Sequence, residues 1–544
     1  MKRQSLSMYV LSLLSLQGAL YTNHRRDIFI DEHNSAQDEH IVKADGKNLS
    51  LQDVIHVARD NYRVELSADA IERIQGSRKV VDDLVEQKKV IYGLTTGFGL
   101  LENVSISQEE AAQLQTNLIR SHSVGVGKPL PESVVRAAIL LRINTLAKGF
   151  SGIRLSTIQK LIELLNKNIY PYVPEKGSVG ASGDLSPLSH IALVLIGEGE
   201  IFINGQRVKT AEALDIIDFT PISLTSKEGL ALNNGTPVLT AIAALTLYDT
   251  KTLIKNAQIT AAATFEALCA CSSPFNPKLH EARPHQGQID CAENIRMLLE
   301  ESELIGSNKS KIQDSYSIRC YPQVLGASAD ACNYVEQVIL TEINSTTDNP
   351  LIIDGDACSG GNFHGQPIAL AMDFLGIAIA EIGNISERRI AKLVDPHTND
   401  NLPAFLVKNS GLNSGFMIPQ YTAAALVSEN KILAHPASVD SIPTSANQED
   451  HVSMGSISSR KAAEILENVN NIIAIELYNA VQALDFREGN PGPATQITKA
   501  IVRQVVPFVE NDRVMYTDMH ALKDLLVSGL LIQEIEKNRG IIKV

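Results

Sequence analysis

Long stretches of apolar residues at helical spacing dominate the chain after Pro237. Apolar side chains that recur every three to four residues indicate α-helices, and several of these stretches are long enough to cross a whole domain. They span residues 238–268, 323–343, 368–393, 423–434 and 458–484. The sequence therefore predicts a mainly α protein whose core is a bundle of long helices.

The chain before Pro237 is more mixed. Alternation typical of strands is short, chiefly at 200–203 and 207–208 on either side of an Asn204-Gly205 hairpin turn. We divide the chain into an N-terminal extension (1–40), a smaller mixed N-terminal region (41–236) and a long-helix bundle with a C-terminal helical region (237–544). The extension has the outline of a weak signal peptide, but serines dilute its apolar stretch, so we expect a disordered or mis-started segment.

Charge and cysteine usage limit the partners and the compartment. The formal net charge is -14, whereas a nucleic-acid-binding face needs clustered Lys and Arg, so nucleic acid is not an expected partner. The chain has no charge-free run of about 18 apolar residues, so no membrane span is expected. Six scattered cysteines without zinc-ligand spacing indicate reduced thiols in the cytoplasm, and no metal site is predicted.

A glycine-rich loop at 177–183 contains the tripeptide Ala181-Ser182-Gly183. A hydrolase nucleophile elbow would need a glycine where Asp184 stands, and a phosphate-binding loop would need a Gly-Lys-Ser/Thr that does not follow. Backbone cyclisation is a third possibility, in which the Gly183 nitrogen attacks the Ala181 carbonyl, two waters leave and the Ser182 side chain becomes a methylidene. A plain turn before a helix starting near Leu185 also explains the glycines, so the loop alone does not decide.

The wider sequence around this loop resembles one enzyme family. Gly180 to Leu185, followed by Pro187-Leu188-Ser189-His190, is similar to the signature of the methylidene-imidazolone ammonia-lyases and aminomutases. The resemblance extends from about residue 41 to near the C-terminus. It implies the fumarase/aspartase-like long-helix fold of the ammonia-lyases, with the electrophile in the N-terminal region. It also implies a 4-methylidene-imidazol-5-one formed autocatalytically from the tripeptide, with no external cofactor.

The resemblance assigns roles to further residues. Tyr92, in a second glycine-rich loop, matches the family tyrosine that removes the substrate β-proton, which a phenol of pKa about 10 can do only in a positive environment. Arg319 would bind the substrate carboxylate, because its planar fork can bond both oxygens. Gln313 and Tyr316 would support the substrate ring and amine, and Asn234 would hydrogen-bond the carbonyl oxygen of the electrophile.

Three further positions bear on the reacting centre and the substrate. Phe363 matches a phenylalanine that lies against the reacting centre. His122 follows Ser121, a pair typical of histidine-acting members and shared by some tyrosine lyases, and its ring can donate to or accept from an imidazole. Gln448 and Glu449 match a pair whose acidic member is replaced in the phenylalanine and tyrosine relatives. His122 and Glu449 together favour a substrate with ring nitrogens.

The expected reaction is the non-oxidative deamination of L-histidine to trans-urocanate and ammonia, the first step of histidine degradation. The resemblance also implies a homotetramer with shared active sites, and we expect it in the cytoplasm. The proximate base is either Tyr92 or Glu449, with Tyr92 ranked first. The alternatives are an ammonia-lyase or 2,3-aminomutase acting on tyrosine or another aromatic amino acid and, from a different class, a catalytically silent helical scaffold.

Overall fold

The computed structural model describes residues 40–87, 96, 106 and 110–544. Tyr92 and the predicted extension, apart from His40, lie outside the described residues. The segment Ile41–Val544 forms one unit. The predicted boundary after residue 236 coincides with the start of the longest helix, and the division into two regions there stays a prediction.

Helices make up most of the described chain. In chain order they are α1 (Leu51–Arg59), α2 (Ala68–Glu86), α3 (Ala111–His122), α4 (Glu132–Ala147), α5 (Leu155–Asn166), α6 (Leu185–Leu195), α7 (Thr210–Ala213), α8 (Glu228–Asn233), α9 (Pro237–Ala267), α10 (Pro277–Glu281), α11 (Gln286–Leu298), α12 (Tyr316–Arg319), α13 (Tyr321–Ile343), α14 (Gln366–Val394), α15 (Met417–Leu433), α16 (Gly455–Leu484), α17 (Pro493–Val505), α18 (Tyr516–Val527) and α19 (Leu530–Arg539). Single 3₁₀ turns lie at Ser273–Phe275, Ala404–Leu406 and Ser445–Asn447.

The strands are short and pair in small sheets. They are β1 (Ile41–Ala44), β2 (Arg63–Leu66), β3 (Val126–Pro129), β4 (Tyr170–Pro171), β5 (Pro174–Lys176), β6 (Glu200–Ile203), β7 (Gln206–Lys209), β8 (Leu351–Ile353) and β9 (Asp356–Cys358). Strands β1 and β2 are parallel, and the β3–β5, β4–β6–β7 and β8–β9 pairings are antiparallel. The predicted hairpin is confirmed, because Ile203 pairs with Gln206 across Asn204 and Gly205, which both have positive φ.

Three long helices form the centre of the bundle. Helix α16 packs along both α9 and α14, and α13 lies against α14. Helix α9 is buried on nearly all its faces, which fits its small and apolar composition, and Pro237 stands at its first turn, where a missing N–H costs nothing. Four of the five predicted helical stretches coincide with α9, α13, α14 and α16 to within one turn, and α15 begins earlier than predicted, at Met417. The predicted mainly α bundle is confirmed.

One hydrophobic core connects the mixed region with the bundle. It extends from Val42 in β1 to Ile542 near the C-terminus and includes residues of every long helix. Helix α14 is long and apolar enough to cross a membrane, but 67% of its most apolar window is buried inside the fold, as in the core helix of a bundle. The glycine-rich loop at 177–183 is therefore attached to helices that belong to one continuous hydrophobic core.

Candidate active site

The tripeptide lies in the turn that precedes α6, pressed against the turn that precedes α9. The Asp184 N–H donates to the Gly235 carbonyl oxygen at 2.6 Å, and the Gly235 N–H donates to the Ser182 carbonyl oxygen at 3.2 Å. Gly183 has φ +72° and pairs with Gly235, and a Cβ on Gly183 would overlap the Gly235 carbonyl. Only glycine fits at position 183, because both the backbone conformation and the close approach exclude a side chain.

Asp184 ties this turn to the ends of two long helices. Its Oδ2 accepts hydrogen bonds from the N–H groups of Val238 at 2.9 Å and Leu239 at 2.8 Å, in the first turn of α9. Its Oδ1 accepts from the Ser456 hydroxyl at 2.9 Å, at the start of α16. Burial raises the pKa of Asp184 to about 6, against the lowering effect of these hydrogen bonds. The sequence alone does not reveal this role of Asp184, because a position directly before α6 is also that of an ordinary helix cap.

The segment before α16 closes the other side of the loop. The Ser453 hydroxyl donates to the Gly180 carbonyl oxygen at 3.0 Å, and the Met454 N–H donates to the Val179 carbonyl oxygen at 2.9 Å. Ala181 is buried in a small apolar cluster with Met454. The tripeptide is therefore held on both sides by segments far away in the sequence.

Glu449 faces the central residue of the tripeptide. The Ser182 hydroxyl donates to Glu449 Oε1 at 2.8 Å, and the Thr444 hydroxyl donates to Glu449 Oε2 at 2.7 Å. Between Thr444 and Glu449, Ser445, Ala446 and Asn447 have φ of +51°, +52° and +71°. The left-handed backbone conformation is unfavourable for residues other than glycine, and here three of them adopt it in succession. Such strain is typical of loops that hold a functional group in position.

His122 and Glu449, the two positions predicted to select the substrate, lie within electrostatic reach of each other. Burial lowers the pKa of His122, and the negative charge of Glu449 acts in the opposite direction. His122 is the last residue of α3, and its Nδ1 lies 3.0 Å from the Ser121 hydroxyl. Gln448 is exposed on the same loop as Glu449. The arrangement places the His122 imidazole and the Glu449 side chain in one region beside Ser182.

Asn234 and Phe363 lie on two further segments that adjoin the loops carrying Gly235 and Glu449, and their roles at the reacting centre stay predictions. Asn234 ends α8 directly beside Gly235, and its Oδ1 is buried without a hydrogen-bond partner among the described residues. Phe363 is half-buried in the loop before α14. The next residue, His364, stacks on His451 and lies 3.3 Å from the His451 carbonyl oxygen. The Phe363 loop is thereby joined to the loop that carries Glu449.

A buried charge cluster supports the turn at Gly235. Lys227 Nζ bonds Asp348 Oδ2 at 2.9 Å, and the Arg142 guanidinium donates to the Ala231 carbonyl in α8. Burial lowers the pKa of Arg142 to about 10, against the opposing effect of Asp348. Sequence reasoning did not find this cluster, because its members are scattered along the chain.

Gln313, Tyr316 and Arg319 belong to the short helix α12 and the segment just before it. The Arg319 guanidinium sits over the Tyr316 ring at 4.4 Å, and Tyr316 is 68% exposed. In the part of the chain that the structure describes, no hydrogen bond or ion pair joins these three residues to Ser182 or Glu449. The assignment of these residues to the same site stays a prediction, as does that of Tyr92.

The chain is similar to known proteins over most of its length. It matches the family described as aromatic amino acid lyase over residues 49–505. It is 58% identical to the histidine ammonia-lyase of Alkaliphilus oremlandii over 500 residues, which cover 91% of this chain and 98% of that protein. The solved structure of histidine ammonia-lyase from Trypanosoma cruzi has a TM-score of 0.85 and 44% identity, covering 91% of this chain and 95% of that one. The tyrosine aminomutase from Streptomyces globisporus has a TM-score of 0.88 and 39% identity, with 92% and 99% covered.

Proposed function

The chain belongs to the aromatic amino acid lyase family, and from this premise we propose that it deaminates L-histidine to trans-urocanate and ammonia. It is a carbon-nitrogen lyase. The observation that carries the choice of substrate is the identity of more than half of its residues to a relative named histidine ammonia-lyase over almost the whole chain. The meeting of His122 and Glu449 beside Ser182 supports it, because both groups can hydrogen-bond an imidazole.

Ala181, Ser182 and Gly183 fit the autocatalytic formation of a methylidene-imidazolone. Gly183 has no room for a Cβ, so the backbone is held in the tight turn that ring closure requires. The group supplies an electrophile that draws electrons from the substrate and makes its amine a better leaving group. Asn234, buried beside Gly235, would hold the group by donating a hydrogen bond from its amide N–H to the carbonyl oxygen of the group.

The chain's own residues bind the substrate and move its proton. In this proposal Arg319 pairs with the substrate carboxylate, and Gln313, Tyr316 and Gln448 surround the amine and ring. Phe363 limits the space at the reacting centre. Tyr92 takes the β-proton, with Glu449 as the alternative base.

We also propose a cytoplasmic homotetramer with shared active sites. Support comes from Tyr316 and Arg319, which within the described part of the chain have no hydrogen bond or ion pair to the tripeptide of their own chain. Exposed apolar residues on the outer face of the bundle also support association, namely Leu370, Phe374 and Ile377 on α14. The six free cysteines are consistent with a reducing compartment.

Tyrosine aminomutase activity is the second candidate, favoured by the structural likeness to that enzyme. Purified protein incubated separately with L-histidine and L-tyrosine distinguishes the two. We expect the near-ultraviolet absorbance of urocanate to rise with histidine only. Coumarate or β-tyrosine as the main product would contradict the proposal. The matched control is Ser182→Ala, which should keep the fold but lose both activity and the two-water mass loss of the tripeptide.

A further inference from the structure

We propose that Glu449 also acts on the chain itself, as the catalytic residue that removes water from Ser182 while the electrophile forms. The inference rests on the proposed function, because it assumes that the tripeptide cyclises. Its starting observation is the hydrogen bond from the Ser182 hydroxyl to Glu449 Oε1 at 2.8 Å. The described residues offer this hydroxyl no other hydrogen-bond partner.

The Glu449 carboxylate is fixed in position before any substrate binds. Thr444 holds its second oxygen at 2.7 Å. The backbone N–H groups of Thr444 and Glu449 donate to each other's carbonyl oxygens at 2.9 and 3.2 Å, which closes the loop that carries the carboxylate. A carboxylate held at both ends needs little reorganisation to take part in proton transfer to the group that it faces.

Asp184, the other carboxylate at the loop, already accepts hydrogen bonds from other groups. Its Oδ2 accepts from Val238 and Leu239, and its Oδ1 accepts from Ser456 and, at 3.4 Å, from the Ser178 hydroxyl. These bonds direct it toward the helix ends rather than toward the Ser182 hydroxyl. The geometry therefore gives Asp184 a supporting role and leaves the Ser182 hydroxyl to Glu449.

The chemical step balances without an external reagent. When the Gly183 nitrogen bonds to the Ala181 carbonyl carbon, the first water takes away that carbonyl oxygen and the hydrogens of the Gly183 and Ser182 amides. The Ser182 Cα–H then lies between the ring carbonyl carbon and the nitrogen of the new C=N bond, and it becomes acidic. The Glu449 carboxylate accepts this proton, and the C–H electron pair forms the Cα=Cβ bond as the Cβ–Oγ bond breaks. Glu449 returns the proton to the departing oxygen, which leaves as the second water.

The test measures maturation rather than turnover. Glu449→Gln keeps the size of the side chain but cannot relay a proton, so the peptide that contains Ser182 should stop after losing one water. We expect at least a tenfold lower fraction of peptide lacking two waters than in wild type, by mass spectrometry soon after synthesis, in line with the usual contribution of acid–base groups. The matched control is Asp450→Asn, which removes a neighbouring exposed carboxylate from the same loop and should mature fully.

Each outcome decides the proposal. A Glu449→Gln protein that loses both waters as fast as wild type overturns it, even if histidine turnover is abolished. If Glu449→Gln fails to fold, as judged by circular dichroism, Thr444→Val is tested in its place. This variant removes the hydroxyl that holds Glu449 Oε2 but leaves the Glu449 carboxylate itself in the protein. Slower loss of the second water in Thr444→Val supports the proposal, and an unchanged rate overturns it. A wild-type protein whose tripeptide loses two waters but which does not convert histidine would contradict only the proposed substrate.

Discussion

Asp184 links the turn that carries the tripeptide to two long helices of the bundle. Its carboxylate is fully buried and bonded to two backbone N–H groups of α9 and to Ser456 of α16. A buried carboxylate without a cationic partner is costly in its charged form, so the folded protein holds its proton more tightly than the unfolded chain does.

We predict that this residue makes the protein less stable as the pH rises from about 4 to about 6. The folded pKa is raised to about 6 by burial, whereas the unfolded value is about 4. The favourable contribution of the protonated form is therefore complete below the unfolded pKa and lost as the pH passes through the folded pKa. The loss should be on the order of 3 kcal/mol.

The measurement is denaturant unfolding of wild type and Asp184→Asn at pH values between 4 and 7. The asparagine can still accept from Val238 and Leu239 but does not titrate. The difference in unfolding free energy, wild type minus variant, should fall across this range and then level off. A difference that rises or stays constant with pH would contradict the prediction.

For single residues, the sequence indicated which side chains are candidates for chemistry better than it indicated which residues they contact. The observed contact with Gly235 provides a physical reason for the glycine at position 183. The partners of Asp184 were not predictable, because Val238 and Ser456 lie 54 and 272 residues away. The sequence around Asp184 holds no information about which helix ends pack against it.

Among the helices, a buried ion pair connects the three that form the centre of the bundle. Arg389 of α14 bonds both oxygens of Glu476 of α16, at 2.6 and 2.7 Å. The hydroxyls of Thr264 in α9 and Ser386 in α14 also donate to Glu476, at 2.8 and 2.6 Å. All available lone pairs of this carboxylate are used, which is the condition under which a buried ion pair is tolerated.

We predict that Glu476→Gln lowers the free energy of unfolding by about 3 to 5 kcal/mol, because it leaves the Arg389 charge buried without a counterion. Thermal unfolding followed by circular dichroism should show a clear drop in Tm. The control is Glu467→Gln on the same helix, whose partner Lys523 is at the surface and whose exposed pair should contribute no more than about 1 kcal/mol. Equal effects of the two substitutions would refute the prediction.

Periodicity predicted α9, α13, α14 and α16 well because each is long and covered by apolar neighbours. It did not predict the parallel pairing of β1 with β2, since two four-residue strands hold too few residues to show a pattern. The start of α15 was missed for a related reason. Its first turns carry exposed apolar residues, Ile418 and Tyr421, which obscure the usual contrast between a buried and a solvent face.

At the scale of the whole molecule, the candidate residues fall into two groups. Ser182 and His122 both interact with Glu449, whereas Tyr316 and Arg319 have no hydrogen bond or ion pair with Ser182 or Glu449 among the described residues. If sites are shared between subunits, two different inactive variants should restore activity to each other. Co-expression of Ser182→Ala with Arg319→Ala should yield up to about a quarter of wild-type activity, as random assortment of subunits predicts.

Two observations complete this test. Each variant alone should be inactive and should elute on size exclusion like wild type. Mixed protein that stays as inactive as the separate variants would show that each chain supplies its own complete site. Subunit sharing could not be derived from the sequence by physical reasoning, because helical periodicity reports which face is apolar and not which molecule covers it.

Two distant segments hold the tripeptide from opposite sides, and we call this arrangement the clasp. It has a consequence for the time during synthesis at which the site can form. One side of the clasp is formed by residues 235–239 and the other by residues 449–456. A nascent chain on the ribosome therefore lacks the second side until residue 456 has been translated, and under the proposed maturation Ser182 stays an unmodified serine until then. Under the proposed maturation, the finished electrophile is a chemical record that the chain was translated beyond residue 456 and that this segment packed against the tripeptide.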